Sequence, residues 1–203
     1  VSDLVDNFKD KVKKYIFDAI SYWKVADNEL FFFFFYCRFC FSKGNKTVFV
    51  IEQGPQVRNV MLNASLNRFN CGTTSMALSF PFSVFVLVFD QGGFKQLYCG
   101  WRAAPLSSIN DLLARPVLPN IHENLNVCTS KMTSRNLNMS EMADYVVASF
   151  WSSEFNGDLS EIWAYKQEFH PNLIDSHTWQ EASEKDPLFV LDMKLNYVRS
   201  VKD

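Results

Sequence analysis

No apolar run in this chain reaches the roughly 20 residues that a membrane-spanning helix needs. The two most apolar stretches stop short: Leu30 to Phe41 is interrupted by Arg38, and Ala77 to Phe89 contains Pro81. Both read as buried strands. An excess of one charge is also lacking. Lys and Arg number 20 against 22 Asp and Glu, a net charge of −2, which offers no electrostatic footprint for nucleic acid. The N-terminus is amphipathic and charged, without the compact apolar centre and small-residue cleavage site of a secretory leader. The first residue is Val1 rather than methionine, from which a trimmed or partial chain is expected. There is no glycine-rich phosphate loop and no Gly-x-Ser-x-Gly, so nucleotide-hydrolysing and lipase-type chemistry find no support. Five cysteines, an odd number at irregular spacings, do not make a secreted disulfide framework. A reducing, cytoplasmic compartment is expected, where a thiol stays available for chemistry. No internal repeat is present.

What is there is a substantial core. With 203 residues, 48% of them hydrophobic and 20 of them phenylalanine, the chain has enough apolar surface for one domain over 1–203. Leu4, Phe8, Val12, Ile16, Ile20 and Trp23 recur at steps of three or four and predict a helix over 2–24, within an N-terminal helical segment 1–25. Antiparallel strands are expected over 30–103. Ser42-Lys43-Gly44-Asn45 and Gln91-Gly92-Gly93 supply the turns, Ser83–Phe89 and Phe94–Arg102 form one long hairpin, and 54–74 is mixed. Pro105, Pro116 and Pro119 then mark an irregular cysteine loop over 104–135. Helices are expected over 138–203, the first capped by Asn138 or Ser140 with Met139, Met142, Val146 and Phe150 on its apolar face, together with a strand-like Phe189–Met193. The order is that of an α+β fold, an antiparallel meander sheet with flanking helices.

The chemistry concentrates in Pro119-Asn120-Ile121-His122-Glu123-Asn124-Leu125-Asn126-Val127-Cys128. A thiol here can act as a nucleophile, and an asparagine amide eight residues earlier is a neutral donor for a developing oxyanion. Each residue also has a plainer reading. Cys128 can be a buried structural thiol, although its neighbours Asn124, Asn126, Thr129 and Ser130 are polar. Asn120 can simply pin its own turn. His122 is a possible auxiliary, as base or as modulator of the thiol, or it is a solvated loop residue. His170 and His177 read as surface residues, and Glu154 and Asp158 lie where an acid can orient an incoming amine or merely face solvent.

This segment resembles the active-site loop of the ubiquitin-conjugating enzymes, whose pattern is His-Pro-Asn, a few residues, then Ile-Cys or Val-Cys. Pro119, Asn120, Ile121, Val127 and Cys128 match it, while Leu118 stands where the histidine would be. A longer similarity is to a bacterial branch, the PRTRC system protein B group (prokaryotic family D of ubiquitin-conjugating-like proteins). It is carried by FKQLYCGWRAAPLSS with Gly100-Trp101-Arg102 before Pro105, by LLARPVLPNIHENLNVCTSK, and by ASFWSSEFNGDL with Phe150-Trp151, Ser153 and Phe155-Asn156. The resemblance covers the C-terminal half. It implies a ubiquitin-conjugating-like fold and a probe-able activity: Cys128 receives a β-grasp, ubiquitin-like modifier as a thioester from a ThiF-like activating enzyme and passes it to an amine, with Asn120 holding the oxyanion. No cofactor or metal is implied. A non-catalytic binding module of the same fold is the alternative that Leu118 favours, and an unrelated cysteine hydrolase is a third.

The remaining cysteines read as structural. Cys37 and Cys40 form a C-x-x-C, but no second pair or Cys-His partner lies at zinc-ligand spacing. Inside a phenylalanine run both are expected to behave as small hydrophobes, and Cys71 and Cys99 as core residues.

Overall fold

The computed structural model describes residues 36–63, 66, 72–129, 137–157 and 161–202. All of these belong to the unit Phe35–Asp203. The leading unit Val1–Phe34, and with it the helix expected over 2–24, lies outside the described residues, as does Cys71.

The fold is α+β. Strand β1 (Tyr36–Lys43) turns through Gly44-Asn45 into β2 (Lys46–Gln53). Gly44 has φ +62°, a conformation that a Cβ would strain. Gly54-Pro55 leads to β3 (Gln56–Leu62), inside the stretch expected to be mixed, and β4 (Thr74–Phe80) pairs with it antiparallel. The apolar run 77–89, expected as one strand, is divided at Pro81. Proline supplies no ladder donor, and the chain leaves one sheet there and enters another as β5 (Phe82–Asp90). Strand β6 (Gly93–Arg102) completes the expected hairpin, and β7 (Leu112–Ala114) follows.

Because the β3–β4 pair leaves the main sheet, that sheet is not a simple meander. It runs β1-β2-β5-β6-β7-β9, where β9 is Tyr197–Ser200, and every pairing in it is antiparallel. The second sheet is β4-β3-β8, where the short β8 (Glu154–Phe155) lies parallel to β3. Strands β1 and β9 are opposite edges of a six-stranded sheet, and flat strands about 4.8 Å apart would hold them roughly 24 Å from one another. Phe41 of β1 and Val201 just beyond β9 nevertheless line one cleft of ≈ 340 Å³. The sheet is therefore curled.

Strand β5 explains the phenylalanine- and valine-rich run. Phe85, Leu87 and Phe89 enter the main core, while Val84 and Val86 enter a second cluster on the other face with Val50, Leu113 and Leu125. A strand covered on both faces needs apolar residues at every position. The main core is closed by helix α1 (Met139–Ser152). Asn138 caps it in a reciprocal box with Glu141, and Phe150 and Trp151 meet Phe85 with ring centroids 5.3 and 5.9 Å apart. Met142, Val146 and Phe150 are buried as the helical period predicts, and Val147 and Trp151 widen the stripe.

Beyond α1 the chain is less helical than expected. A short α2 (Glu161–Ala164) and two 3₁₀ turns lead to α3 (Ser176–Lys185). Phe189–Asp192, expected as a strand, is a 3₁₀ turn that buries Phe189, Val190 and Leu191. Helix α3 covers the edge of β4: Ser79 N–H donates to Ser183 Oγ at 2.8 Å, and Trp179 Nε1 donates to Ser79 O at 3.1 Å. Such bonds occupy backbone groups that an exposed edge strand would leave open. His170 caps the turn Pro171–Leu173 through Nδ1 and is half-buried rather than a surface residue. Burial lowers its pKa, against a smaller opposing pull from Asp192. His177 is exposed.

Buried polar groups tie the layers together. Glu52, fully buried, accepts from Arg38 Nε and from Leu106 N, each at 2.6 Å, joining the edge strand to the loop after β6. Gln53 Oε1 accepts from Trp151 Nε1 at 2.8 Å and from Arg58 at 3.1 Å. Arg58 lies 4.7 Å from the Trp151 ring centre, and its desolvation brings the guanidinium pKa down to about 10.

Candidate functional site

Strand β6 delivers the site. Gly100 lets β7 pack close, because a Cβ there would meet Leu113 Cβ at 2.7 Å. Asp111 fixes the connection between β6 and β7. It accepts from Ser107 N at 2.7 Å, Ser107 Oγ at 2.9 Å and Ser108 N at 3.2 Å, and pairs with Arg102 at 3.3 Å. These contacts, led by the Ser107 backbone bond, hold its carboxyl below the usual range.

After β7 the chain enters a turn at Pro119-Asn120. Proline precedes an asparagine with φ +68°, the pairing that a type II turn selects, since its third position requires positive φ. Asn120 thus takes the left-handed position of its own turn. Leu118, in the place of the histidine of the ubiquitin-conjugating pattern, is fully buried in the main core with Val117, Ile121 and Val127. The turn is anchored by packing on its N-terminal side.

Residues 120–128 then form a small hairpin. Ile121 pairs with Val127. His122 N–H donates to Asn126 O at 2.8 Å and Cys128 N–H to Asn120 O at 2.9 Å. Leu125 N–H donates to His122 O at 2.9 Å, and Leu125 has φ +70°, so the loop is a tight turn closed by a left-handed residue. A leucine is strained there, and its burial in the second cluster compensates. The returning arm lies against β6, with Cys99 N–H donating to Leu125 O and Val127 N–H to Leu97 O, each at 2.9 Å. Residue 128 therefore sits directly across the ladder from residue 120, a separation of about 5.5 Å between Cα atoms in such a pair.

The side chains divide sharply. Cys128 is exposed. The Asn120 amide is engaged with β8: Nδ2 donates to Glu154 O at 3.2 Å, and Oδ1 accepts from Asn156 N at 3.5 Å. His122 is exposed in the turn. Glu154 lies beside the hairpin through that backbone contact, and its carboxylate accepts from Asn63 Nδ2. Asp158 lies outside the described residues.

Two further groups support the hairpin. One is the backbone of Glu154–Asn156, in the segment around Glu154 expected near the cysteine loop. The other is Arg115, whose Nη2 donates to Ile121 O at 3.4 Å and whose Nη1 lies 3.5 Å from Glu123, while its buried Nε has no hydrogen-bond partner. Arg115 opens on a cleft of ≈ 550 Å³ lined also by Tyr165, Glu168, Phe169, Asn196 and Val198. Cys128 and Asn120 do not line this cleft.

The other cysteines separate by environment. Cys99 is fully buried and its thiol pKa is pushed up by desolvation, in keeping with a core residue. Cys37 and Cys40 are exposed rather than packed as small hydrophobes. They lie on β1, an edge strand of the main sheet. Among the described residues no group of three or more His, Cys, Asp or Glu side chains is arranged to hold a metal ion, and no helix is long and apolar enough to cross a membrane. Comparison with protein-family models, with curated proteins and with solved structures gave no match in any of the three.

Proposed function

We propose that the chain is a ubiquitin-conjugating-like acyl carrier of a bacterial, cytoplasmic pathway. The Cys128 thiolate attacks the thioester carbonyl of a β-grasp modifier held on a ThiF-like activating enzyme and expels that enzyme's thiolate. An acceptor amine then attacks the new thioester, loses a proton to water and releases the Cys128 thiolate. Little acid catalysis is needed, because a thiolate leaves readily. The protein's contribution is to position the acceptor and to stabilise the oxyanion. The observation that carries the reading is an exposed thiol placed opposite Asn120 on a hairpin held by core packing. One Nδ2–H of Asn120 is used on Glu154 O, so oxyanion binding falls to the second, and losing such a donor typically costs about 3 kcal/mol.

The test is thioester formation: activating enzyme, modifier and ATP are mixed with the protein, and a reductant-sensitive adduct is sought. An adduct that persists in Cys128→Ala excludes this chemistry at Cys128. A second reading, a non-catalytic module that binds the modifier, is favoured by Leu118 and by the prior commitment of the Asn120 amide to β8. Slow alkylation of Cys128 together with intact modifier binding supports that reading instead.

A further inference from the structure

The C-x-x-C of β1 acquires a meaning that its spacing alone does not have. Along a regular strand, residues i and i+3 point to opposite faces. Here the register slips between Cys37 and Phe39, so Arg38 is an extra residue in β1. Such a bulge re-aims side chains. Arg38 is directed at the buried carboxylate of Glu52. Cys37 then stands opposite Ile51, and Cys40 opposite Phe49. Residues paired directly across a ladder share a face. Ile51 belongs to the main core and Phe49 packs against it, whereas Phe39 and Phe41 pack on the other cluster. Both thiols therefore project from the same face of the edge strand, and both are exposed.

Their separation selects the chemistry. They are two partner positions apart on β2, about 6.7 Å along the strand. A disulfide needs Cβ atoms about 3.8 Å apart, which parallel side chains at that spacing do not provide. An ion held between two sulfurs, with bonds of about 2.3 Å each, needs the sulfurs only about 4.5 Å apart. The Cys37 thiol already leans along the strand, donating to Phe39 O at 3.4 Å, the carbonyl of the peptide that joins Phe39 to Cys40. Partial burial raises the Cys37 thiol pKa, and the charge of Cys40 adds to the rise. Among the described residues no third ligand joins the two thiolates, and such a pair does not suit zinc, which takes four. They suit a soft monovalent d¹⁰ ion.

We propose that Cys37 and Cys40 form a two-thiolate site for a soft monovalent cation of the copper(I) type, exposed for direct exchange with a donor or acceptor. Binding joins two Cys–S⁻ groups to one ion and releases two protons, with no change in oxidation state.

The test titrates the full chain anaerobically with copper(I) against the chromophoric chelator bathocuproine disulfonate, beside Cys37→Ser, Cys40→Ser and Cys128→Ser. The parent and Cys128→Ser are expected to withhold one equivalent from the chelator, and each β1 variant to lose it. Circular dichroism matching the parent establishes that those exposed substitutions leave the fold intact. The proposal is overturned if the parent withholds none, if the Cys37→Ser/Cys40→Ser double variant withholds as much as the parent, or if Cys128→Ser abolishes retention.

Discussion

Leu118→His, which introduces the histidine of the ubiquitin-conjugating pattern that the loop resembles, is expected to weaken the protein severely. Leu118 is 0% exposed and surrounded by apolar side chains of the main core. Losing a buried leucine forfeits about 2–3 kcal/mol of burial. An imidazole of similar size leaves little cavity, but it brings a ring N–H and a ring nitrogen in among groups that cannot pair with them, for about 1–3 kcal/mol more. The sum, about 3–6 kcal/mol, is a large part of the 5–15 kcal/mol that is typical of a domain. A pH signature accompanies it. Burial holds the imidazole neutral in the folded state, while the unfolded chain takes up a proton near pH 6.5. The unfolded state then binds more protons, and the variant loses about a further 1.4 kcal/mol per unit below that pH relative to the parent. Urea unfolding followed by tryptophan fluorescence at about pH 8 and about pH 5.5 measures both effects. Leu118→Met serves as a volume-conserving control expected to cost less than about 1.5 kcal/mol. If Leu118→His lies within about 1 kcal/mol of the parent and shares its pH dependence, position 118 is not sealed, and packing does not stand in for the histidine.

Asn120→Ala forfeits the bond to Glu154 O and places a Cβ residue without a tolerant side chain at φ +68°; a loss of about 2 kcal/mol is expected, with Asn120→Gly more stable than the alanine variant by about 0.5–1 kcal/mol. Equal urea midpoints for the two would refute the left-handed requirement. Gly100→Ala, facing Leu113 Cβ at 2.7 Å, is expected to cost about 1–3 kcal/mol by overpacking the β6–β7 junction, read as a lowered thermal midpoint. Asn138→Ala removes the side-chain half of the α1 capping box, the bond that Asn138 Oδ1 accepts from Glu141 N, and is expected to lower stability by about 1 kcal/mol, a shift of about 2–4 °C. Asp111 has a depressed folded-state pKa, so its contribution is complete above the unfolded value near 3.9 and is lost as pH falls through the folded one. Asp111→Asn is therefore expected to be less stable than the parent at neutral pH and indistinguishable from it in strong acid, by urea unfolding across that range.

Local sequence was a good guide where a single element decided the outcome. The Gly44-Asn45 turn, the β5–β6 hairpin and the Asn138 cap are each fixed by backbone preferences of a few adjacent residues, and helix α1 by its apolar period. The Pro119-Asn120 turn was legible for the same reason, since proline and a left-handed asparagine specify it locally. Sequence was a poor guide where an apolar run had to be assigned to a partner. Val190 and Leu191 are buried in a 3₁₀ turn as readily as in a strand, because burial rewards apolar surface whatever the backbone does.

The residues by themselves thus determined the α+β character, the strand and turn positions around β5 and β6, and the presence of a thiol and an amide eight positions apart. Tertiary structure alone decided that Pro81 sends the chain between two sheets, that β9 joins β7 from far along the chain, that Leu118 anchors the hairpin from within the core, and that the Asn120 amide is claimed by Glu154 and Asn156. It also decided that a bulge at Arg38 turns Cys37 and Cys40 to one face. The physical reason is common to all of these. Turns and helical stripes are written within a few residues, whereas sheet register, burial and the destination of a side-chain hydrogen bond depend on groups brought together only when distant segments pack.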